Sequence, residues 1–214
     1  MIDYLVAGGP VMIPIALCSV IALATFLERL WSLRMEKIIP PGFTAEFVEL
    51  GRQERWGDAM ALCRKRNVAV ARVLEVALEV RGRSRAVIKE RIEEVGRREA
   101  AEMERYVPIL GTIASISPLL GLLGTVGGMI LTFQVISEEG AANVGSLAGG
   151  ISQALITTFA GLSVGIPAVV ANRYVLARVD SLLLELEEVS LGVLELMIPP
   201  DERDSSGVSE GAPE

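Results

Sequence analysis

Long stretches without a charged side chain alternate with charged stretches along this sequence. Residues 4–27, 106–137 and 140–172 contain no Asp, Glu, Lys or Arg, and only Glu138 and Glu139 separate the second stretch from the third. A run of about 18 or more such residues indicates a transmembrane helix, because a helix of that length spans the hydrocarbon core of a bilayer. The pattern therefore predicts three transmembrane helices, and the last two form a hairpin.

The first predicted helix is assigned to residues 1–30 and is expected to remain in the protein as a membrane span. A secretory signal peptide carries basic residues before its apolar core, and residues 1–3 contain none. Pro10 and Pro14 predict irregular first turns. A membrane helix tolerates such turns when neighbouring groups or water satisfy the freed carbonyls.

The basic residues are segregated in a way that predicts the orientation. All twenty Lys and Arg residues lie between residues 29 and 105 or after residue 172. By the positive-inside rule, these two parts are cytoplasmic and the N-terminus is outside. The predicted fold is an all-α integral membrane protein with three transmembrane helices, long cytoplasmic helical extensions and an N-out, C-in orientation.

The first cytoplasmic segment, residues 31–105, is predicted to be helical. Gly57 and Asp58 indicate one helix start, and Ser84 indicates another. Because no strong breaker follows Ser84, we expect one helix from about residue 85 to residue 137. At 1.5 Å per residue that helix would be roughly 80 Å long.

The segment after the third stretch divides into a helix and a tail. Residues 173–198 keep apolar residues at helical spacing among glutamates, which predicts a cytoplasmic amphipathic helix. We expect it to pack on the helix of residues 85–105 within the same subunit, in preference to serving as a dedicated partner site. Residues 199–214 have few apolar residues to bury and are predicted to be a disordered tail.

Composition excludes several classes of function. The chain is 51% hydrophobic and 22% charged with a net charge of −7, and it shows no basic stripe that would bind nucleic acid. It has no His, and Cys18 and Cys63 are too far apart in sequence and compartment for a disulfide or a zinc site. No nucleophile and base occur together, so we expect no enzymatic activity and no cofactor.

The candidate functional residues form a stripe on each hairpin helix. Steps of three or four residues place one set on one face of the second span: Ser117, Gly121, Thr125, Gly128 and Thr132. The third span has a similar set: Ser146, Gly150, Gln153, Thr157 and Gly161, with Thr158 one position further round. Such stripes allow close helix packing, and they also suit a polar path across the membrane. Gln153 favours the path, because an amide at membrane depth needs partners or water.

The hairpin lacks the residue types that usually move protons inside a membrane. Intramembrane relays use Asp, Glu, His, Lys or Arg, and neither hairpin stretch contains one. If protons cross here, this chain supplies walls and hydroxyls, and another polypeptide supplies the titrating group.

Two stretches of the hairpin resemble the hallmark region of the ExbB/TolQ/MotA proton-channel family. They are PLLGLLGTVGGMI at residues 118–130 and GISQALITTFAGLSVGIPAVVAN at residues 150–172. The resemblance covers about residues 5–195. It implies a homopentamer in the bacterial inner membrane around a dimer of a single-span ExbD/TolR-like partner, whose membrane Asp carries the proton. A TonB- or TolA-like protein is a further candidate partner.

The resemblance also assigns individual residues. It makes Thr125 and Thr158 the channel threonines, with Thr157 as an adjacent candidate, and it puts Gln153 where many relatives have Glu. Counting from the charged ends, Thr125 lies about 9 Å outward of Thr158. The implied function is a proton-channel subunit of an energy-transducing motor, more ExbB/TolQ-like than flagellar, with Na⁺ as the alternative ion. The alternative function is a non-conducting membrane scaffold or a permease subunit of a transporter.

Overall fold

The computed structural model describes residues 7–139 and 144–197, and this part of the chain is helical without strands. Its helices are α1 (Met12–Ser32), α2 (Met35–Ile38), α3 (Phe43–Arg52), α4 (Trp56–Lys65), α5 (Ala69–Glu79), α6 (Arg85–Glu104), α7 (Val107–Glu139) and α8 (Val144–Met197). The predicted all-α fold is confirmed.

Three of these helices are long and apolar enough to cross a membrane: α1, α7 and α8. Large apolar side chains project from all three into their surroundings. Leu17, Leu119 and Phe159 are 59%, 62% and 74% exposed. Such surfaces are unfavourable in water and are stabilised by the hydrocarbon core of a bilayer. The chain is therefore a multi-pass membrane protein.

The first membrane helix begins later than its apolar stretch does. Gly9 has a left-handed backbone with φ +73°, and its carbonyl accepts a 3.1 Å hydrogen bond from the Met12 amide. This turn contains Pro10 and precedes α1, so the irregular turn predicted at Pro10 is confirmed. Pro14 lies in the regular first turn of α1, which continues to Ser32, so the irregularity predicted there is wrong. Residues 1–6 lie outside the described residues.

The single long helix predicted from residue 85 to residue 137 is wrong. Helix α6 ends at Glu104, a turn follows, and α7 begins at Val107. Pro108 explains the break, because it has no amide hydrogen to donate to the Glu104 carbonyl and its ring clashes with a continuing helix. Within the first turn of a new helix, the same proline is tolerated.

The long uninterrupted helix is α8, with 54 residues. It contains residues 144–172 of the predicted third span and residues 173–197 of the predicted amphipathic segment, and it has no break at residue 172. The predicted disordered tail, residues 199–214, and the end of the hairpin at residues 140–143 fall outside the described part of the chain.

The chain forms two compact units. Among the described residues, the first comprises residues 7–31, 106–139 and 144–176, and the second comprises residues 32–105 and 177–197. The first unit contains α1, α7 and the first part of α8, and with them all of the candidate functional residues. The second unit contains α2 to α6 and the remainder of α8.

The second unit is a small helical core. The first residues of its helices agree only in part with those predicted. Helix α4 begins at Trp56, so Asp58 lies inside its first turn and pairs with Arg55 at 2.7 Å instead of preceding the helix. Helix α6 begins after Ser84 as predicted, but the Ser84 side chain makes no capping hydrogen bond. The second part of α8 lies beside α6 as expected, and Leu186 shares a cavity wall with α6 residues.

An ion pair between a half-exposed arginine and a buried glutamate joins α5 to α6 in this unit. Arg72 Nε donates a 2.6 Å hydrogen bond to Glu99 Oε1, and its Nη2 donates to the other carboxylate oxygen. Glu99 is only 4% exposed, and Arg72 also donates to the Asn67 side chain at 2.7 Å. The hydrogen bonds to Glu99 raise the pKa of Arg72. The pair therefore links α5 to α6 through two charge-assisted hydrogen bonds.

Candidate functional site

Helices α7 and α8 pack closely along their length in the first unit. Gly121 meets Gly161, and Gly128 meets Gly150, so residue numbers fall on α8 as they rise on α7. The pair is therefore antiparallel, as the predicted hairpin requires. We call this line of contact the α7–α8 seam.

Glycine is required along the α7–α8 seam because backbone meets backbone. A Cβ on Gly161 would lie 2.6 Å from the Ser117 carbonyl oxygen and 2.8 Å from Gly121 Cα. A Cβ on Gly128 would lie 2.7 Å from the Gly150 carbonyl oxygen. The predicted small residues thus include a set that allows two membrane helices to approach within backbone contact.

The sequence stripe missed three seam residues: Gly124, Ala154 and Gly165. A Cβ on Gly124 would overlap the Thr157 side chain, and one on Gly165 would lie 2.7 Å from Pro118 Cγ. On α7, the buried residue between Gly121 and Gly128 is Gly124 and not the predicted Thr125. The sequence does contain a signal for Gly124, because it lies three residues after Gly121 and four before Gly128.

Two threonines lie sealed within the α7–α8 seam. Thr157 is fully buried, and its hydroxyl donates to the Gln153 and Ala154 carbonyls at 2.9 Å and 3.0 Å. Thr132 is 5% exposed and donates to the Gly128 carbonyl at 3.0 Å. Both hydroxyls are satisfied by their own helix, which suits a packing role.

Ser117 is the remaining hydroxyl of the buried stripe. It is fully buried, and its hydroxyl makes no hydrogen bond to any group in the described part of the chain. The Ser146 side chain, also named in the predicted stripe, lies outside the side chains that the structure describes.

Thr125 and Thr158 lie at the edge of the α7–α8 seam and are half-buried. The Thr158 hydroxyl donates across the helix pair to the Gly121 carbonyl at 3.3 Å. The Thr125 hydroxyl donates to the Leu122 carbonyl at 2.6 Å. A hydroxyl that donates its proton keeps lone pairs that can accept another, so both oxygens remain potential acceptors.

Thr125 and Thr158 are separated by a smaller distance along the helix axes than the sequence predicted. Thr158 lies beside Gly121, which precedes Thr125 by four residues on the same helical face. Four residues correspond to about 6 Å along a helix, in place of the expected 9 Å. Thr125 and Thr158 therefore belong to one edge of the seam.

Gln153 has different surroundings from Thr158. Its half-buried side-chain amide lies against Gly9, in the turn that precedes α1. Gly8 precedes Gly9, and a Cβ built on it would lie 3.3 Å from Ile156 Cγ2. Gln153 thus contacts the start of the first membrane helix, and its predicted part in a proton path stays a prediction.

The model of the MotA/TolQ/ExbB proton channel family matches residues 65–188, more than half of the chain. The chain belongs to this family. It is 33% identical over 181 residues to the ExbB-like 1 biopolymer transport protein of Synechocystis sp. PCC 6803, covering 81% of this chain and 69% of that protein. The family likeness includes both helices of the α7–α8 seam.

Two further relatives carry related names. An ExbB homolog of Methanothermobacter thermautotrophicus is 28% identical over 186 residues, covering 86% of this chain and 65% of that protein. The Tol-Pal system protein TolQ of Haemophilus influenzae is 42% identical over 85 residues, covering 40% of this chain and 37% of that protein. The chain is thus a membrane subunit of a proton-channel family whose members transduce energy.

Proposed function

We propose that this chain is a proton-channel and stator subunit of an inner-membrane motor complex that couples the proton motive force to work at the outer envelope. One observation carries the proposal: Thr125 and Thr158 keep partly accessible hydroxyls on one edge of a seam that is otherwise closed by glycine contacts. The alternative is a non-conducting scaffold or permease subunit, in which the seam only packs helices.

The path in this proposal is shared with a second polypeptide. The α7–α8 hairpin has no acidic or basic residue between residues 107 and 137 or between residues 144 and 172. A single-span ExbD/TolR-like partner would supply the membrane Asp, and Thr125 and Thr158 would accept or relay the proton directly or through a water. The translocated ion is the proton, with Na⁺ as the alternative.

The energy available per ion limits how the motor works. One elementary charge crossing 100 mV releases about 2.3 kcal/mol, so a large mechanical step needs several transfers. Two hydroxyls at depths about 6 Å apart would serve one carboxyl at successive positions of a rotating or flexing partner. A TonB- or TolA-like protein would carry the resulting movement outward.

The proposed assembly is a homopentamer around two copies of the partner, with the N-terminus of this chain outside. Native mass measurement of the detergent-extracted complex should give five copies of this chain with two of the partner. A stable monomer without a partner would remove the basis of the channel proposal.

The decisive experiment compares Thr158→Val and Thr125→Val with Thr157→Val. Valine keeps the β-branched shape and removes the hydroxyl. We expect the first two changes to abolish energy-dependent output with normal expression and assembly. Thr157→Val should retain output, because the Thr157 hydroxyl bonds only to carbonyls of its own helix. Gln153→Ala should be milder than either edge variant.

The same variants can refute the proposal. If Thr125→Val and Thr158→Val assemble and still drive output at the normal rate, the two hydroxyls only pack helices and the scaffold alternative stands. Proton flux measured in vesicles that contain the purified complex separates loss of conduction from loss of coupling.

A further inference from the structure

Two grooves flank the second part of α8 in the second unit. One has a volume of about 310 Å³ and lies between α8 and α6, with Ile92, Leu183 and Leu186 in its wall. The other has a volume of about 460 Å³ and lies between α8 and α3, with Val48 and Val193 in its wall. Both are large enough to take apolar side chains of a bound segment.

The ridge of α8 between these grooves carries exposed leucines. Leu184 is 68% exposed, and Leu191, two turns further on, is 38% exposed. Residues 177–197 contain six charged residues, so this part of α8 lies outside the apolar span and lipid tails do not cover it. Exposed large apolar side chains beside apolar grooves mark a surface that binds another protein segment. We call the grooves and the ridge together the α8 docking surface.

The α8 docking surface is acidic, which determines the charge of the segment that it can bind. Glu93 and Glu187 border the first groove, and Glu185 and Glu188 border the second. Each groove has one arginine, and residues 177–197 as a whole carry five acidic residues and one basic residue. A basic segment complements this surface. Two copies of this surface placed face to face would oppose like charges, which disfavours that contact between copies.

We infer that the α8 docking surface binds the basic cytoplasmic flank of the single-span partner. This inference rests on the proposed function, which supplies a single-span partner, and one flank of a single span lies in the cytoplasm. The positive-inside rule favours Lys and Arg in the cytoplasmic flank of the partner's span. Its apolar side chains enter the two grooves, and its basic side chains pair with the four glutamates at their borders.

Cross-linking in the intact complex tests the inference. Glu187→Cys and Glu188→Cys are placed singly in a Cys18→Ala/Cys63→Ala background, and the partner carries one cysteine in its cytoplasmic flank. A short bis-maleimide should link either residue to the partner. The matched control is Arg83→Cys, which is exposed in the same unit and lines neither groove.

Charge reversal provides the second measurement. Glu187→Lys/Glu188→Lys, with the cross-linking cysteine moved to Leu184, should lower the adduct yield about tenfold because attraction becomes repulsion at two positions. Reversing two basic residues of the partner's flank to Glu should restore the yield. Restoration distinguishes a charge contact from a folding defect of the α8 variant.

The possible results separate this inference from the proposed function. Adducts between two copies of this chain alone would mean that a second copy covers the surface, and the inference would be wrong. Adduct yields no higher than that of Arg83→Cys, in a complex that retains the partner and its output, would also overturn it and would leave the proposed function intact. If no partner co-purifies with the chain, both proposals fail.

Discussion

The side chain of Thr157 on α8 occupies the space that a Cβ on Gly124 of α7 would need. The next residue, Thr158, is rotated out of this contact and bonds instead to the Gly121 carbonyl at 3.3 Å. Consecutive threonines therefore differ in role, because one turn of a helix presents adjacent residues about 100° apart. Thr157 closes the α7–α8 seam, and Thr158 lies at its accessible edge.

Gly124→Ala should destabilise the protein because its methyl group would overlap Thr157. A Cβ at this position would lie 2.8 Å from Thr157 Cγ2 and closer still to two other Thr157 atoms. Overpacking of this kind costs about 1–3 kcal/mol. The measurement is the thermal unfolding of the purified complex in detergent.

Gly127→Ala is the matched control, since no atom lies within 4 Å of a Cβ built there. It should be neutral or slightly stabilising, because alanine favours a helix over glycine by about 1 kcal/mol. Equal unfolding temperatures for the two variants would contradict the close packing at Gly124.

The membrane helices and the small faces of the hairpin were predictable because they depend on local composition. A run without charges specifies a span, and glycine at steps of three and four specifies a face. The register between α7 and α8 was not predictable, since Gly124 and Thr125 both continue the α7 stripe at helical spacing. The choice between them depends on which one faces Thr157, a residue more than thirty positions away.

The contacts of the second unit were still less accessible from sequence. Arg72 and Glu99 are 27 residues apart on different helices, and nothing in the local pattern pairs them. The break before α7 could have been found, because Pro108 stands within the predicted helix and removes an amide donor. The cavity walls that α8 shares with α6 and α3 follow from tertiary packing alone.

The predicted N-out, C-in orientation determines which engineered thiols should be labelled from outside. In a Cys18→Ala/Cys63→Ala background, a cysteine at Glu138 should react with an impermeant maleimide in cells whose outer barrier is removed. A cysteine at Ser84 should react only after the inner membrane is opened. The expectation follows from the exclusion of Lys and Arg from the N-terminal stub and the hairpin tip. Labelling of Ser84→Cys alone in intact cells would reverse the orientation.

The Arg72–Glu99 ion pair should contribute strongly to the stability of the second unit. Arg72→Ala removes the cation that pairs with Glu99, which is 4% exposed in the intact protein. Because the Arg72 side chain is 43% exposed, the cost should lie between that of an exposed pair and the roughly 3 kcal/mol of a buried one. The matched control is Arg91→Ala, whose partner Glu94 is exposed. Exposed pairs contribute about 0–1 kcal/mol. Chemical unfolding of the purified complex should rank the two variants in this order, and a reversed order would show that solvent screens the Glu99 site.

The Cys63 thiol should be protected against alkylation in the folded protein. Burial, aided by the negative charge of Glu75, raises its pKa from 9.0 to about 12. Only the thiolate reacts, so at pH 8 a rise of about three units lowers the reactive fraction about a thousandfold. The measurement is the maleimide reaction rate in a Cys18→Ala background, compared with Arg83→Cys in the same background with Cys63→Ala. Similar rates for the two thiols would contradict the burial of Cys63.

The same pKa shift makes stability depend on pH in one direction. Between pH 9 and about 12 the unfolded state releases the Cys63 proton and the folded state retains it, so the free energy of unfolding falls as pH rises through this window. Well below pH 9 the thiol is protonated in both states, so it contributes no pH dependence to the free energy of unfolding. Cys63→Ala should therefore flatten the decline in alkaline solution.

Glu75→Gln should speed alkylation of the folded protein, because it removes the charge that opposes the thiolate, whereas Glu79→Gln on the exposed side of α5 should not. An unchanged rate in Glu75→Gln would mean that burial alone holds the thiol protonated.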